Sequence, residues 1–310
     1  MAQTVICLGA HVFDVQVRPV EAIPDAQGAV LVENIRFGPA GPAAGTAVTL
    51  AKLGATVRSS GMIGTDLIGD VFIDSLRRYG VDTSLIRRRS GVQTAASVLP
   101  IRPDGSRPAF HAPGANLVFG PADAPHDAIA DATHLHFGAP ELMGGQAAAS
   151  ILEPARAAGV VTSADILASG DPGVLAWIEP ALPHLDYLLP NAEQVLGLTG
   201  ASDLVEGCRA LVQQGVGCVA VTRGPDGALV VTADQEIAVP AFAVEVIDTT
   251  GCGDAFSAGF VRGLGLGRSL RDSAVLGCAV AAIVAEGLGS DHGAFDLVGA
   301  DRFAVERTTL

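Results

Sequence analysis

Apolar runs of strand length alternate with helix-periodic segments along most of the chain, and this alternation constrains the fold more than any other feature. Val5–Leu8, Val57–Ser60, Thr133–Phe137, Val160–Ser163, Asp186–Leu189 and Cys218–Thr222 read as strands. Ala43–Leu53, Leu67–Tyr79, Gly145–Ala158 and Ser202–Gln214 read as helices between them. The pattern predicts a mostly parallel α/β sheet with helices on both faces. Ligands of such sheets bind beyond the carboxyl ends of the strands. With 310 residues, 49% apolar and 17% charged, the chain can bury a large core and is too apolar for disorder.

One stretch departs from the alternation. Thr94–Ile101 and Ala109–His111 flank Arg102-Pro-Asp-Gly-Ser106, a strong turn signal, and read as a hairpin. Val12–Val17 and Ala29–Phe37 are candidate strands beside it. Together they predict a small β flap over the sheet's active edge, with an ordinary edge hairpin as the alternative. A second hairpin pairs Ala228–Thr232 with Glu236–Val239.

Charge and cysteine usage narrow the partners. The net charge of −14 disfavours a nucleic-acid binder, and an anionic ligand would need a local pocket of N–H groups or arginine. Lys52 is the single lysine. Five cysteines without a CxxC pair argue against disulfides and structural zinc, as in a reducing cytosol. The opening MAQTVICLGA lacks a basic n-region and reads as a first strand. Ala279–Ala285 is too short to span a bilayer. These features predict a cytoplasmic protein.

The richest segment is Val246-Ile-Asp-Thr-Thr-Gly-Cys-Gly-Asp-Ala-Phe256. It reads as a strand ending at Ile247, a glycine-bearing turn, and a helix through Ala255–Leu264. Gly251 and Gly253 let backbone approach a ligand closely. Free N–H groups at the helix start, with the helix dipole, make an anion site suited to phosphate. Asp254 lies in the first helical turn. A carboxylate beside bound phosphate is costly unless it works there, and the work at hand is accepting a proton from an attacking hydroxyl. The alternative is a simple helix cap. No GxxxxGK[ST] occurs, and Gly9-Ala-His11 lacks the dinucleotide fingerprint. No GxSxG elbow supports a hydrolase.

Asp248-Thr-Thr-Gly-Cys-Gly-Asp254 resembles the DTxGAGD signature of the ribokinase-like (PfkB) carbohydrate kinases. Gly38-Pro-Ala-Gly-Pro-Ala-Ala-Gly-Thr-Ala-Val-Thr-Leu-Ala-Lys-Leu-Gly54 resembles the family's other signature, and Gly61-Met-Ile-Gly-Thr-Asp-Leu-Ile-Gly69 its GxxGxDxxG. The resemblance covers essentially the whole chain. It implies a single kinase domain with a three-layer α/β/α core and a β lid formed by about residues 12–38 and 92–111. It implies ATP and Mg²⁺, with K⁺ as a further ion. Asp254 would be the general base, and the amides of Gly251, Cys252 and Gly253 the anion hole. Asp14 and Gly41 would meet the sugar. Asn191 matches the start of the NxxE motif, and Thr222, Gly224 and Gly227 the TxGxxG nucleotide turn. Asp248 and Thr250 match positions that help hold a monovalent cation in relatives.

Two departures stand out. Gln194 replaces the metal-organising Glu of NxxE, while Glu193 lies about 100° around the helix. A neutral amide can still hold a metal-bound water, with less charge. Gly45 replaces a sugar-gripping Asn, which removes one hydrogen bond or makes room for a bulkier substrate. Glu141 follows a strand's carboxyl end and is either a substrate contact or a solvated turn. His134 and His136 alternate on a strand and read as structural histidines rather than a metal pair. Arg87-Arg-Arg89 reads as a solvated loop, and Cys252 as a packing residue beside the anion site. The expected activity is ATP-dependent phosphorylation of a hydroxyl on a sugar or sugar-like small molecule. The alternatives are a nucleoside kinase of the same fold and a catalytically weak sugar- or nucleotide-binding relative. An exposed β flap also predicts a homodimer through its edge or apolar face.

Overall fold

The computed structural model describes residues 3–307. Along the chain run β1 (Thr4–Gly9), β2 (Val12–Arg18), β3 (Asn34–Ala40), α1 (Pro42–Lys52), β4 (Thr56–Ser60), β5 (Met62–Gly64) and α2 (Leu67–Arg78). Next come β6 (Arg87–Arg89), β7 (Ala96–Pro100), β8 (Phe110–Ala112), α3 (His126–Ala130), β9 (His134–Gly138), α4 (Gly145–Ala157) and β10 (Val161–Asp165). The remainder is α5 (Pro172–Ile178), β11 (Tyr187–Leu188), α6 (Ala192–Thr199), α7 (Leu204–Gln213), β12 (Cys218–Thr222), β13 (Ala228–Val231), β14 (Glu236–Val239), α8 (Cys252–Gly265), α9 (Leu270–Ala285) and α10 (Leu297–Glu306).

The main sheet has the order β14-β13-β12-β11-β10-β9-β1-β4. β4, β1, β9, β10, β11 and β12 are parallel; the expected hairpin adds β13 and β14 antiparallel at one edge. Side-chain alternation divides the core between two faces. In β1, Ile6 and Leu8 pack with α4, α6 and α7. Val5 and Cys7 face the other way, onto α1, α2, α8 and α9. β12 repeats this, with Val219 and Val221 on the first face and Cys218 and Ala220 on the second. Both faces are therefore covered, as a parallel sheet requires. Ala279–Ala285 is the apolar end of α9, and no helix among the described residues is long and apolar enough to cross a membrane.

The second sheet, β3-β2-β7-β8, stands apart from the first. It is built from the segments expected for the flap. Asn34 rather than Ala29 begins β3, because residues 29–33 find no partner strand. Asp14 pairs with Gly38 and Ser97, and Ser97 with His111. That row shares one face. The neighbouring row, Phe37-Val15-Val98-Phe110, shares the other.

Two boundaries differ instructively from the sequence reading. Val244–Ile247 is not a strand; Ile247 N–H donates to Ala285 O at 2.8 Å, which ties the segment to the end of α9 instead of the sheet. α7 starts at Leu204 because Asp203 caps it, its carboxylate accepting from Glu206 N–H at 3.0 Å.

Candidate active site

The carboxyl ends of β1, β9, β10, β11 and β12 lie along one edge of the parallel sheet, and the candidate residues gather there. Gly41 caps α1 with φ +90°, and a Cβ there would sit 2.8 Å from Ala10 O. Only glycine allows the chain to turn from β3 into α1 so tightly. Gly251 caps α8 with φ +75°, and a Cβ there would overlap Ser290. Next to it, Gly253 has open space beside its Cα, where a ligand can approach.

Helix starts leave N–H groups without intrahelical partners. Among the described residues, no protein acceptor meets the amides of Gly251 and Gly253. The Cys252 amide differs from expectation: it donates to Thr249 O at 3.3 Å, so it is partly engaged in the turn. Two amides of this turn are thus free donors. The Cys252 thiol donates to Ala281 O at 3.6 Å, and burial pushes its pKa up to about 12. It packs and is not a nucleophile.

Asp254 lies in the first turn of α8, partly buried. Burial, then the charge of Asp14, push its pKa up to about 7, while Arg107 opposes the rise. Asp14 lies on the inner face of the small sheet and is 6% exposed. Burial raises its pKa to about 6 against the Ser97 hydroxyl and Arg107. Ser97 Oγ is also 3.0 Å from His111 Nδ1, so a polar row crosses that face. Asp165, ending β10, is a third carboxyl at the site. Burial and then Asp254 hold its pKa well above the usual range. Ile166 N–H donates to it at 2.8 Å and Ser257 Oγ, on α8, at 3.4 Å.

Several expected residues take other roles. A Cβ on Gly45 would overlap the Asp254 carboxylate. The room left by the missing Asn is therefore filled by the Asp254 carboxylate. Glu141 is not a solvated turn, and among the described residues its Oε2 meets no protein partner. It is 8% exposed, with Oε1 accepting from Leu167 and Ala168 N–H at 2.7 and 2.8 Å. It shapes the loop after β10. Gln194 cannot offer its amide to a metal-bound water. Its Oε1 accepts from Asn191 N–H at 2.9 Å, and its Nε2 donates to Ile166 O and Ala168 O at 2.8 and 3.1 Å. With Asn191 Oδ1 accepting from Gln194 N–H, it forms a capping box at the start of α6.

Asn191 and Thr222 are brought together by a parallel bridge, and Thr222 N–H donates to Pro190 O at 3.0 Å. Gly224 and Gly227 bracket the single 3₁₀ turn that follows. Asp248 is wholly buried. It accepts from Thr250 N–H and Oγ at 2.9 and 2.6 Å and from Gly289 N–H at 3.0 Å. His134 Nε2 and His136 Nδ1 both meet Ser163 Oγ, at 2.8 and 3.0 Å, and burial keeps both rings neutral. Among the described residues, no cluster of three or more His, Cys, Asp or Glu could hold a metal.

The sequence reading missed Asp165, Ser97, His111 and Arg107. Asp165 left a signal, a carboxylate ending an apolar parallel strand. The others come to the site only through the register of the small sheet and its loop.

A glycine turn with free amides at a helix start, a partly buried carboxyl of raised pKa in the same turn, and a polar sheet face above the strand ends define a phosphotransferase acting on a small hydroxyl compound. The chain matches the pfkB family carbohydrate kinases over residues 2–294 and belongs to that family. It is 29% identical over 258 residues to fructokinase-2 of Oryza sativa subsp. japonica, covering 76% of this chain and 74% of that protein. It is 32% identical over 260 residues to the ATP-dependent ribose-1-phosphate kinase of Halopiger xanaduensis, covering 83% of each. The ribokinase of Arabidopsis thaliana, solved with ribose and ATP, superposes with a TM-score of 0.83 at 21% identity, over 98% of this chain and 99% of that one. Its fold is therefore the same.

The raised Asp254 pKa has a consequence for rate. A base must be ionised, and a carboxyl with a raised pKa ionises only as pH climbs through that value. Asp14, Asp165 and Arg107 face it, and the carboxyls titrate together. Turnover should rise by about tenfold per pH unit below neutrality and level off above it. A pH–rate profile already flat above about pH 5, as an ordinary carboxylate would give, contradicts this.

Proposed function

We propose that this carbohydrate kinase transfers the γ-phosphoryl of ATP to a hydroxyl of a sugar or sugar-like molecule held between Asp14 and Asp254. The observation that carries the reading is the placement of Asp254. It is partly buried in the first turn of α8, three residues from one free amide and beside the other, with the Asp14 carboxyl close enough to raise its pKa. The acceptor oxygen forms a bond to the γ-phosphorus. The bond to the bridging oxygen breaks, and its electrons leave with ADP. The hydroxyl proton passes to Asp254. Gly251 and Gly253 N–H groups, aided by the α8 dipole, stabilise charge on the transferring group. Asp14, with Ser97 and His111 in the same row, orients the acceptor hydroxyls. The small sheet serves as a lid that keeps water out, and Asn191, Thr222, Gly224 and Gly227 flank the nucleotide.

Magnesium fits this site as part of the nucleotide. Mg²⁺ keeps several waters and needs only one or two carboxylates besides phosphate. Asp165 is the side chain that would hold it, since the Gln194 amide is engaged elsewhere. When bound, the ion neutralises phosphate charge. A monovalent cation would meet Asp248 and Thr250 through carbonyl oxygens, because their side chains bond to each other and to Gly289. The cytoplasmic placement rests on the five cysteines, all unpaired.

The decisive assay measures ADP release with pentoses, hexoses, sugar acids and adenosine. Turnover with at least one sugar is expected. Turnover with adenosine alone would make it a nucleoside kinase. ATP binding by calorimetry with no ADP from any acceptor would make it a binding protein.

The lid also supports a dimer. Its outer row leaves Phe37 and Phe110 each 60% exposed, beside Ile35 at 61%. A contiguous apolar sheet face of this kind pairs best with a second copy of itself. Wild type should sediment as a dimer and Phe37→Asp as a folded monomer. A monomeric wild type overturns the pairing.

A further inference from the structure

We propose that Asp291 is a positioning residue: paired with Arg36, it ties the small sheet to the glycine turn of α8, so that the acceptor side and the phosphate side of the site are set as one unit. The inference rests on the kinase reading and adds to it a residue that meets neither substrate. Residues 286–293 leave the end of α9 and pass beside the turn. Three consecutive residues of this segment take three different partners. Gly289 N–H donates to Asp248 Oδ2 at 3.0 Å, where the turn segment begins. Ser290 fills the space beside the Gly251 Cα, and its Oγ donates to Pro39 O at 2.7 Å. Asp291 turns its carboxylate to the small sheet and to α2. Arg36 Nη2 lies 2.8 Å from Oδ1, and Tyr79 Oη donates to Oδ2 at 2.6 Å. Arg36 also donates to Leu288 O, so one guanidinium holds both ends of the 288–291 bend.

The sheet end of this tie lies next to the acceptor side. Arg36 and Gly38 share a face of β3, and Gly38 is the strand partner of Asp14. A Cβ on Gly38 would lie 3.4 Å from Asp291 Oδ1, so the carboxylate rests against the backbone beside Asp14. Pro39, held by Ser290, stands two residues before Gly41, the cap of α1. A shift of Asp291 therefore moves the Asp14 pair and the Gly251 turn together. Lys52 fixes the segment from behind, its Nζ donating to the carbonyls of Asp291, His292 and Gly293 at 2.7, 3.2 and 2.8 Å. That leaves the carboxylate as the part that reaches the sheet. A second tie, from Arg107 Nε to Thr249 Oγ1 at 3.3 Å, is longer and exposed.

Fold stability gives little reason for the pair. The Asp291 side chain is 9% exposed and that of Arg36 31%. Taking a carboxylate out of water is costly, and one ion pair offsets that cost only in part, so apolar side chains of similar volume would serve the fold as well. What the pair adds is direction. A guanidinium fork fixes the angle of its partner as well as the distance. Direction matters here because donors to a transferring phosphoryl group act only when aimed at where its charge develops. The Gly251 and Gly253 amides sit on a turn with φ +75° at its cap, and Ser290 is the residue packed beneath that cap. Asp291 holds Ser290 from the next position in the chain.

The test compares wild type with Asp291→Asn, Arg36→Gln and the double variant. Asparagine keeps the shape and still accepts from Tyr79, so the ion pair alone is lost. One arm measures steady-state rates with ATP and D-ribose or D-fructose. Misplacing a reacting group by about 1 Å can cost about 10²-fold. Each single variant should lose about 10- to 10²-fold in kcat, with the KM for ATP unchanged. The double variant should lose no more than either single one, because both remove the same tie. A kcat equal to that of wild type in Asp291→Asn overturns the proposal, and so do losses that add in the double variant. The other arm measures hydrogen–deuterium exchange of residues 248–256 with ADP bound. Arg36→Gln, altered only on the small sheet, should speed exchange in that turn, as should Asp291→Asn. Exchange unchanged in both overturns the proposal. Should wild type phosphorylate neither sugar, the sugar reading is lost and the exchange arm decides alone.

Discussion

A partly buried carboxyl stands beside two free amides at the start of α8, and much of the site is arranged around it. Asp254 is held partly out of water, because α8 is packed between α1 and α9 and the carboxylate itself rests on the backbone of Gly45. Ionising it in that setting is costly, which is why its pKa lies near 7 and not near the ordinary carboxylate value. That cost is also its use. A base whose affinity for protons is raised to the working pH takes a proton from a hydroxyl more readily than an ordinary aspartate does.

The same constraint explains the surrounding chemistry. Glycine at 251 and 253 exposes amide dipoles in place of side chains, which in the proposed reaction meet the phosphoryl group without adding bulk. Asp14 adds repulsion that favours the protonated form of Asp254. The loop after β10 is kept in shape from two sides, by Glu141 on its amides and Gln194 on its carbonyls. That rigidity holds Asp165 beside α8. The engineering is of position: most of the polar residues near the site bond to backbone and fix loops, and few are free to meet a ligand.

Much of this was legible in the sequence, for a physical reason. Strand and helix periods are local, so the parallel sheet, the hairpins and the helix-start turn could be read directly. Gly251-Cys-Gly-Asp254 carries its chemistry within one turn, and the resemblance to the PfkB kinases extended it to Asp14 and Asn191. What the sequence hid depends on long-range contact. Gly45 suggested empty space, but Asp254, 209 positions away in the chain, fills it. Gln194 suggested a weakened metal site, but its amide closes a capping box and a neighbouring loop. Glu141 suggested a substrate contact or a solvated turn, and its burial against residues 167 and 168 removes the turn. Arg107 was an unremarked residue beside a turn until strand pairing carried it to the Asp248–Asp254 segment.

Asp254→Asn tests the central claim most directly, because amide and carboxyl have nearly the same shape and only the proton acceptor is removed. At pH 8 the variant should bind ATP as wild type does and melt no lower, since a partly desolvated charge facing Asp14 is gone. Its turnover should drop by at least about 10²-fold. Turnover near that of wild type, with the fold intact, would contradict the account.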